Sequence, residues 1–498
     1  MNAVAWLPIA ILLSSLVPGI IIFFLGEGRH RERTLLNLAG AGVKLVLIVI
    51  LIAGVFNDVN YETRFTLAPG MDLVLHADAL SVMFVTLSTV LWFVTTIYAI
   101  GYLEDSPHRS RFFGFFSLCV SATIGIAMAG NMLTFVFFYE LLTLATYPLV
   151  VHRGTPEALR GGRVYLTYTL LGGALLLAGV AWLRALAGPL DFTETGLLAG
   201  RHDIEPATLT IIFALMISGL GVKAALVPLH GWLPQAMIAP APVSALLHAV
   251  AVVKAGAFGI VRVVYDVYGV EFTQQLDLLT PLLIAASVTI VYGSLRALFQ
   301  DELKKRLAYS TVSQVSYIAL GTALFGPIAS IGGFIHLVHQ GIMKITLFFC
   351  AGNYAETLGI HHVSEMRGVG RRMPWTTLAF SVGALGMIGV PPTAGFISKW
   401  YLGNGALAAE QGWVLWVLFA SGLLNAAYFL PILYRAWFLP PLESWPEERR
   451  YGRLETHWML LLPPLITAAL TLLAGLLAQA GFSPLAWVRL ITYREYGL

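Results

Sequence analysis

Charge and cysteine are what this sequence has least of. Asp, Glu, Lys and Arg make up only 11% of its 498 residues, too few to clothe a polar surface, and this excludes a water-soluble globular domain. The two cysteines, Cys119 and Cys350, both lie inside apolar runs, so neither a disulfide framework nor a cysteine metal centre is expected. No nucleotide-binding motif, cysteine cluster or quinone site interrupts the apolar pattern, so no cofactor and no redox centre are expected in this chain. The formal net charge of +3 is too small to draw nucleic acid. What fills the sequence instead is 58% hydrophobic residues, at a mean hydropathy of +0.78. Its 48 glycines and 24 prolines also fit, since both are commoner in membrane helices than in soluble ones. The composition is that of an all-α integral membrane protein embedded in a lipid bilayer.

Crossing about 30 Å of hydrocarbon takes roughly 20 apolar residues, and about fourteen such stretches can be drawn on the chain. They run over 3–25, 34–56, 78–101, 111–129, 131–151, 163–188, 208–228, 241–267, 274–298, 303–324, 327–355, 375–405, 413–438 and 455–478. The first lacks a basic leader and is apolar for too long to be a cleaved signal, so it is expected to be a retained span. Arginines and lysines fall in alternate connections: Arg29, Arg31 and Arg33; Arg109 and Arg111; Arg153, Arg160 and Arg163; Arg296, Lys304, Lys305 and Arg306; Arg367, Arg371 and Arg372; Arg449, Arg450 and Arg453. The intervening connections are mostly acidic. By the positive-inside rule, both termini are expected on the non-cytoplasmic side of the cell membrane. The last residues mix Trp487, Arg489, Tyr493 and Arg494 with apolar positions and read as an interfacial tail.

A charge near the bilayer centre is costly and is kept mostly where it carries protons, ions or substrate. The stretch around residues 219–259 therefore stands out, with Lys223, His248 and Lys254 set among Pro228, Pro234, Pro240 and Pro242. Irregular backbone at membrane depth is tolerated only against protein or a water-filled cavity. Glu140 sits mid-span, where an ion pair with Lys223 is the expected reason for its presence. His248 and Lys254 are six residues apart, on different faces of a regular helix; a broken or widened turn would bring both to one path. His336 and His339, with Lys344 beyond Gln340, share a helical stripe. Two histidines without a carboxylate or cysteine are a poor metal site, and imidazole suits proton transfer better. Lys399 follows Gly389, Pro391, Pro392 and Gly395, which interrupt its span. Lys44 also lies within a span, where a structural or snorkelling role is at least as much expected as a functional one, and it is left off the path.

Two broken, lysine-bearing spans five apart are what an internal repeat would produce, and repeats of odd length must be inverted. The expected organisation is a three-helix region at 1–110, a first inverted repeat at 111–267, a second at 274–438, and a last span with the tail at 439–498. Spans four to eight and nine to thirteen are the two five-helix repeats. Spans seven, eight and twelve are the broken ones.

The motifs HADALSVMF, FFYELLTLATYPLV, GLGVKAALVPLHGWLPQA, APVSALLHAVAVVKAG and VPPTAGFISKW occur in this order between residues 76 and 400. With them the chain resembles the antiporter-like subunits shared by respiratory complex I, membrane-bound hydrogenases and Mrp-type multisubunit cation/proton antiporters. The resemblance implies fourteen core helices, a Glu140–Lys223 pair, Lys254 as the central lysine and Lys399 as the exit, with His248, His336, His339 and Lys344 between. One complex I subgroup carries glutamate at the exit, so Lys399 points towards the Mrp-type proteins. The short tail and the residues around Glu140 look most like the D-type subunit of those antiporters. The function implied is proton translocation along a buried Glu/Lys/His path within a hetero-oligomeric antiporter, with sodium reached, if at all, through other subunits. Alternatives are a pumping subunit of a complex I-like NADH-quinone oxidoreductase or hydrogenase, and a coupling subunit of another transporter, such as one for inorganic carbon.

Overall fold

The computed structural model describes residues 6–103, 106–442 and 444–498; residues 3–5 of the first expected span lie outside the described residues. The chain is mostly helical. It opens with α1 (Leu7–Phe23), α2 (His30–Phe56), α3 (Ala79–Tyr102), α4 (Arg109–Ala127), α5 (Met132–Val150), α6 (Pro156–Ala187) and α7 (Pro206–Lys223). An irregular middle follows with α8 (Trp232–Gln235), α9 (Ala241–Ala249), α10 (Val252–Arg262) and α11 (Val270–Gln275). The rest comprises α12 (Leu279–Leu298), α13 (Leu303–Ala323), α14 (Pro327–Leu358), α15 (Val369–Arg372), α16 (Pro374–Ile388), α17 (Ala394–Ala408), α18 (Val414–Phe438), α19 (Trp458–Leu476) and α20 (Pro484–Leu490).

Counting α9 and α10 with their wide final turn as one, 11 helical segments among the described residues are long and apolar enough to cross a membrane. α1 and α16 are shorter apolar helices. Local chemistry starts many of these elements: Asp78, Asn131, Thr155 and Ser483 accept backbone N–H groups as N-caps of α3, α5, α6 and α20, and proline occupies the first turn of α6, α7, α14 and α16, where no N–H is needed.

The all-α expectation needs one correction. Between α2 and α3 the chain forms an antiparallel hairpin, β1 (Tyr61–Ala68) and β2 (Met71–Ala77), turning at Pro69 and Gly70. Tyr61 and Thr63 point inward while their neighbours are exposed, the two-residue alternation of a half-buried strand. A search for apolar runs of span length passes over it. β2 goes on to pair with the α4–α5 junction, His76 N–H donating to Met128 at 2.7 Å and Gly130 N–H to Val74 at 2.9 Å.

The interior is built on the segment from α9 to the turn after α10, buried throughout, and on α14, buried from Ala329 to Tyr354. α14 packs against α3, α9, α13, α16, α17 and α19. Three interruptions fall where the sequence places charge. α7 ends at Lys223, ahead of an irregular stretch through Pro228. α16 and α17 are separated by residues 389–393, where Gly389 takes a positive φ of 94°. Between α9 and α10 no proline intervenes; instead both Val250 and Ala251 N–H groups donate to the Leu246 carbonyl, at 3.1 and 2.9 Å. The Ala251 bond spans five residues, so the turn is widened before the helix restarts.

Candidate functional site

Lys223 closes α7 and is fully buried. Its ammonium donates to the Tyr139 carbonyl of α5 and lies 3.3 Å from the centroid of the Tyr139 ring. Glu140, the next residue, points away towards α6, where its carboxylate presses on Gly173 and one oxygen has no hydrogen-bond partner. Glu140 and Lys223 therefore act on each other through space, with a backbone carbonyl and an aromatic face between them in place of the expected direct ion pair.

The widened turn places His248 at the end of α9 and Lys254 at the start of α10. His248 stacks on Phe348 of α14, ring centroids 4.5 Å apart, and neither ring nitrogen has a protein partner. Lys254 crosses to α14 and donates to the Leu337 carbonyl at 2.7 Å. Along α14, His336 bonds Ser398 of α17 through Nδ1 at 2.8 Å and its ring lies 5.0 Å from that of Tyr317. His339 and Gln340 are buried with no side-chain bond. Lys344 donates to Ser310 at 2.8 Å, a hydroxyl that also accepts from Tyr428 at 2.9 Å.

Lys399 donates to the Met387 and Ile388 carbonyls, both at 2.8 Å. These belong to the last turn of α16, whose final carbonyls have no intrahelical donor and whose dipole favours a cation. Its ammonium also lies 5.5 Å from the Tyr317 centroid, so Tyr317 faces both His336 and Lys399. The structure thus gathers Lys254, His336, His339, Lys344 and Lys399 around α14. Lys223 and Glu140 sit at the other end, against α5 and α6.

Lys223, Lys254, Lys344 and Lys399 are all held by carbonyls or hydroxyls. Such acceptors satisfy each ammonium without setting a fixed negative charge beside it. The unbonded nitrogens of His248 and His339, with Nε2 of His336, are buried polar atoms that carry a free-energy cost unless water reaches them.

Sequence reading missed several participants. Tyr139, Ser310, Tyr317 and Ser398 touch the buried lysines and histidines, and Tyr428 bonds Ser310 behind Lys344; the only signal for them was a hydroxyl in an apolar run. Arg262 and Asp266 lie inside the expected span 241–267 yet were not among the candidates; Arg262 is fully buried and bonded to Asp78 and Asp266. Lys44 is fully buried as well. It donates to Ser15 at 2.6 Å and faces the Trp92 ring at 4.6 Å, apart from the other lysines.

A helical, multi-pass protein whose interior carries a row of buried lysines and histidines on broken helices belongs to the class of membrane proteins that handle ions. The family described as "NADH:quinone oxidoreductase/Mrp antiporter, TM" matches residues 129–424, and "NADH-Ubiquinone oxidoreductase (complex I), chain 5 N-terminus" matches residues 69–113. The first match covers more than half of the chain, and the protein belongs to the NADH:quinone oxidoreductase/Mrp antiporter family. It is 34% identical to the N-type subunit of NADH-quinone oxidoreductase from Desulforudis audaxviator over 82% of each chain. It is 26% identical to the D-type subunit of the Na(+)/H(+) antiporter from Alkalihalophilus pseudofirmus over 97% of this chain and 95% of that one. A chain of the Mrp complex from Dietzia superposes with a TM-score of 0.85 at 22% identity, covering 99% of this chain and 98% of that one. A chain of respiratory complex I from Thermus thermophilus gives 0.82 at 22% identity, covering 99% and 100%. Both share the fold.

Proposed function

We propose that this chain is the proton-translocating subunit of a multisubunit monovalent cation/proton antiporter, resembling the D-type subunit of Mrp antiporters, in the cell membrane. The observation that carries the reading is the run of buried lysines held by neutral acceptors between Tyr139 and Ile388. Glu140 and Lys223 form the switch: when the carboxylate loses its charge or moves away, Lys223 more readily gives up its proton, and charge passes by way of His248 and Lys254 to His336, His339 and Lys344, then to Lys399. Moving one charge across 100 mV is worth about 2.3 kcal/mol, comparable with the few kcal/mol of Coulomb attraction between close charges at a protein dielectric near 20. The two can therefore be coupled.

In this reading α1, α13 and the α16–α17 pair complete about fourteen spans, the number expected from segment length. Residues 111–267 and 274–438 form the inverted repeats, with α7 and α16–α17 as equivalent broken spans. Both termini lie on the non-cytoplasmic side. The chain acts without a redox centre of its own, and other membrane subunits of the assembly bring any sodium path.

One observation favours a second reading, a pumping subunit of a complex I-like oxidoreductase: the 34% identity to an oxidoreductase subunit of the N type. Glu140→Gln and Lys223→Ala, made in the assembled complex and measured as ion-driven proton movement in reconstituted vesicles, test the path common to both readings. Each is expected to lower transport at least about tenfold while the composition of the complex is unchanged. Normal transport in both variants would make the pair structural and overturn the mechanism.

A further inference from the structure

After α20 the chain makes a wide turn over Ile491–Glu495 that packs against α3 and α14. It is tied down at several points. Trp487 donates its indole N–H to the Ala79 carbonyl at 2.9 Å. Glu495 accepts the backbone N–H of Ala79 and that of Leu80, the latter at 3.3 Å. Arg494 reaches Asp58 at 2.8 Å. Tyr496 donates to Asp266 at 3.2 Å, with its ring 4.7 Å from that of Tyr265.

The surface beneath is the far end of the helix that carries Lys254. There Arg262 bonds both oxygens of Asp78, at 2.7 and 2.9 Å, Asp266 at 2.9 Å and Ser81 at 2.8 Å. Three carboxylates, Asp78, Asp266 and Glu495, thus gather around one guanidinium, and if all were ionised the four groups would sum to two uncompensated negative charges. Asp78 and Asp266 both hold Arg262; Glu495 has only backbone N–H donors and shares the N-terminus of α3 with Asp78. Of the other groups facing the cluster, His76 of β2 offsets part of the negative charge at Asp78 when it is protonated, while Tyr265 is bonded to Ser330 of α14 at 2.5 Å and Phe334 of α14 is uncharged. Buried like charges without partners are held by taking up a proton.

We propose that residues 484–496 form a proton-linked latch, seated on the end of the Lys254-bearing helix while Glu495 is protonated and released when Glu495 ionises. Burial, with the Asp78 carboxylate next, pushes Glu495 up to about 8 from its usual 4.5. Arg262 holds Asp78 through both oxygens and Asp266 through one, so Glu495 is the carboxylate of the cluster that no cation bonds. Because its value is higher when seated, the latch is firmest below about 4.5 and loosens as pH rises through about 8.

The test is hydrogen–deuterium exchange on the intact complex from pH 6 to 9.5, corrected for the intrinsic rate and read on peptides covering 484–498 and 79–82. Wild-type protection should fall about tenfold per pH unit between pH 6 and 8, the slope for one linked proton. Glu495→Gln should stay protected throughout, and Tyr496→Phe should lose protection at every pH while keeping the wild-type slope. Protection independent of pH in the wild type, a Glu495→Gln protein that follows the wild type, or one unprotected at every pH would each overturn the latch. None of these readouts depends on transport, so they stand apart from the Glu140 and Lys223 test.

Discussion

Lys399 hangs from the two carbonyls that end α16, and Glu140 rests against Gly173; both charges are placed by backbone as much as by other side chains. At Gly389, φ is 94° and an added Cβ would meet Lys399 Cδ at 2.8 Å, so glycine there serves both the turn and the lysine. At Gly173 a Cβ would collide with the Glu140 carboxylate, the far end of a flexible side chain that can move. Gly173→Ala is therefore expected to leave assembly intact and displace the carboxylate, lowering proton transport several-fold. Normal transport by that variant in vesicles would show that the resting place of Glu140 is immaterial. The identities of the charged residues were plain in the sequence, because a lysine in an apolar run is conspicuous. Their partners were not: Tyr139, Ser310 and Ser398 look like any other polar residue in a span.

The breaks in the helices follow the same division. Gly389, Pro391 and Pro392 forecast the gap between α16 and α17, and Pro228 the irregular stretch after α7. The widened turn at Val250 and Ala251 has no glycine or proline to announce it; only the need to bring His248 and Lys254 to one path pointed there. A further element is capped from a distance. α4 begins at His108, which is in a left-handed conformation and gives no side-chain cap; the carboxylate of Glu27, in the α1–α2 connection, accepts Arg109 and Ser110 N–H at 2.9 and 3.1 Å instead. Burial alone would raise Glu27, but these N–H donors and the Arg33 guanidinium hold it below its usual 4.5. Its stabilisation is therefore present above that value and is lost as pH falls through the lower folded one. Losing an exposed cap costs roughly 0.5–1 kcal/mol, so Glu27→Gln should lower the melting temperature in detergent by about 1–2 °C at pH 7, with the difference shrinking as pH falls below the usual 4.5. A gap that persists at low pH would assign the effect to packing.

Over the whole molecule, Glu140 matters for where it faces. It is only partly buried, and Phe137 and Leu144 beside it on α5 are exposed at 50% and 58%. A mid-span carboxylate on an outward face is costly in lipid, and a neighbouring subunit that covers it removes that cost. The chain isolated in mild detergent is expected to bring other membrane subunits with it, identified by intact-complex mass spectrometry. Antiporter partners favour the first functional reading and redox partners the second; isolation as a lone chain with normal transport would contradict both.

Composition, span length and the alternation of basic loops determined that this is a multi-pass helical membrane protein, because crossing hydrocarbon leaves few options for backbone or charge. The motifs placed it in its family for the same reason, since the charges that survive in such an environment are few and recognisable. Tertiary structure alone decided that Lys223 leans on a carbonyl and a ring in place of Glu140. It also decided that the Tyr317 ring faces both His336 and Lys399, and that the tail returns to cover Asp78, Arg262 and Asp266. Each of these depends on contacts between segments far apart in the chain, and residue spacing carries no record of them.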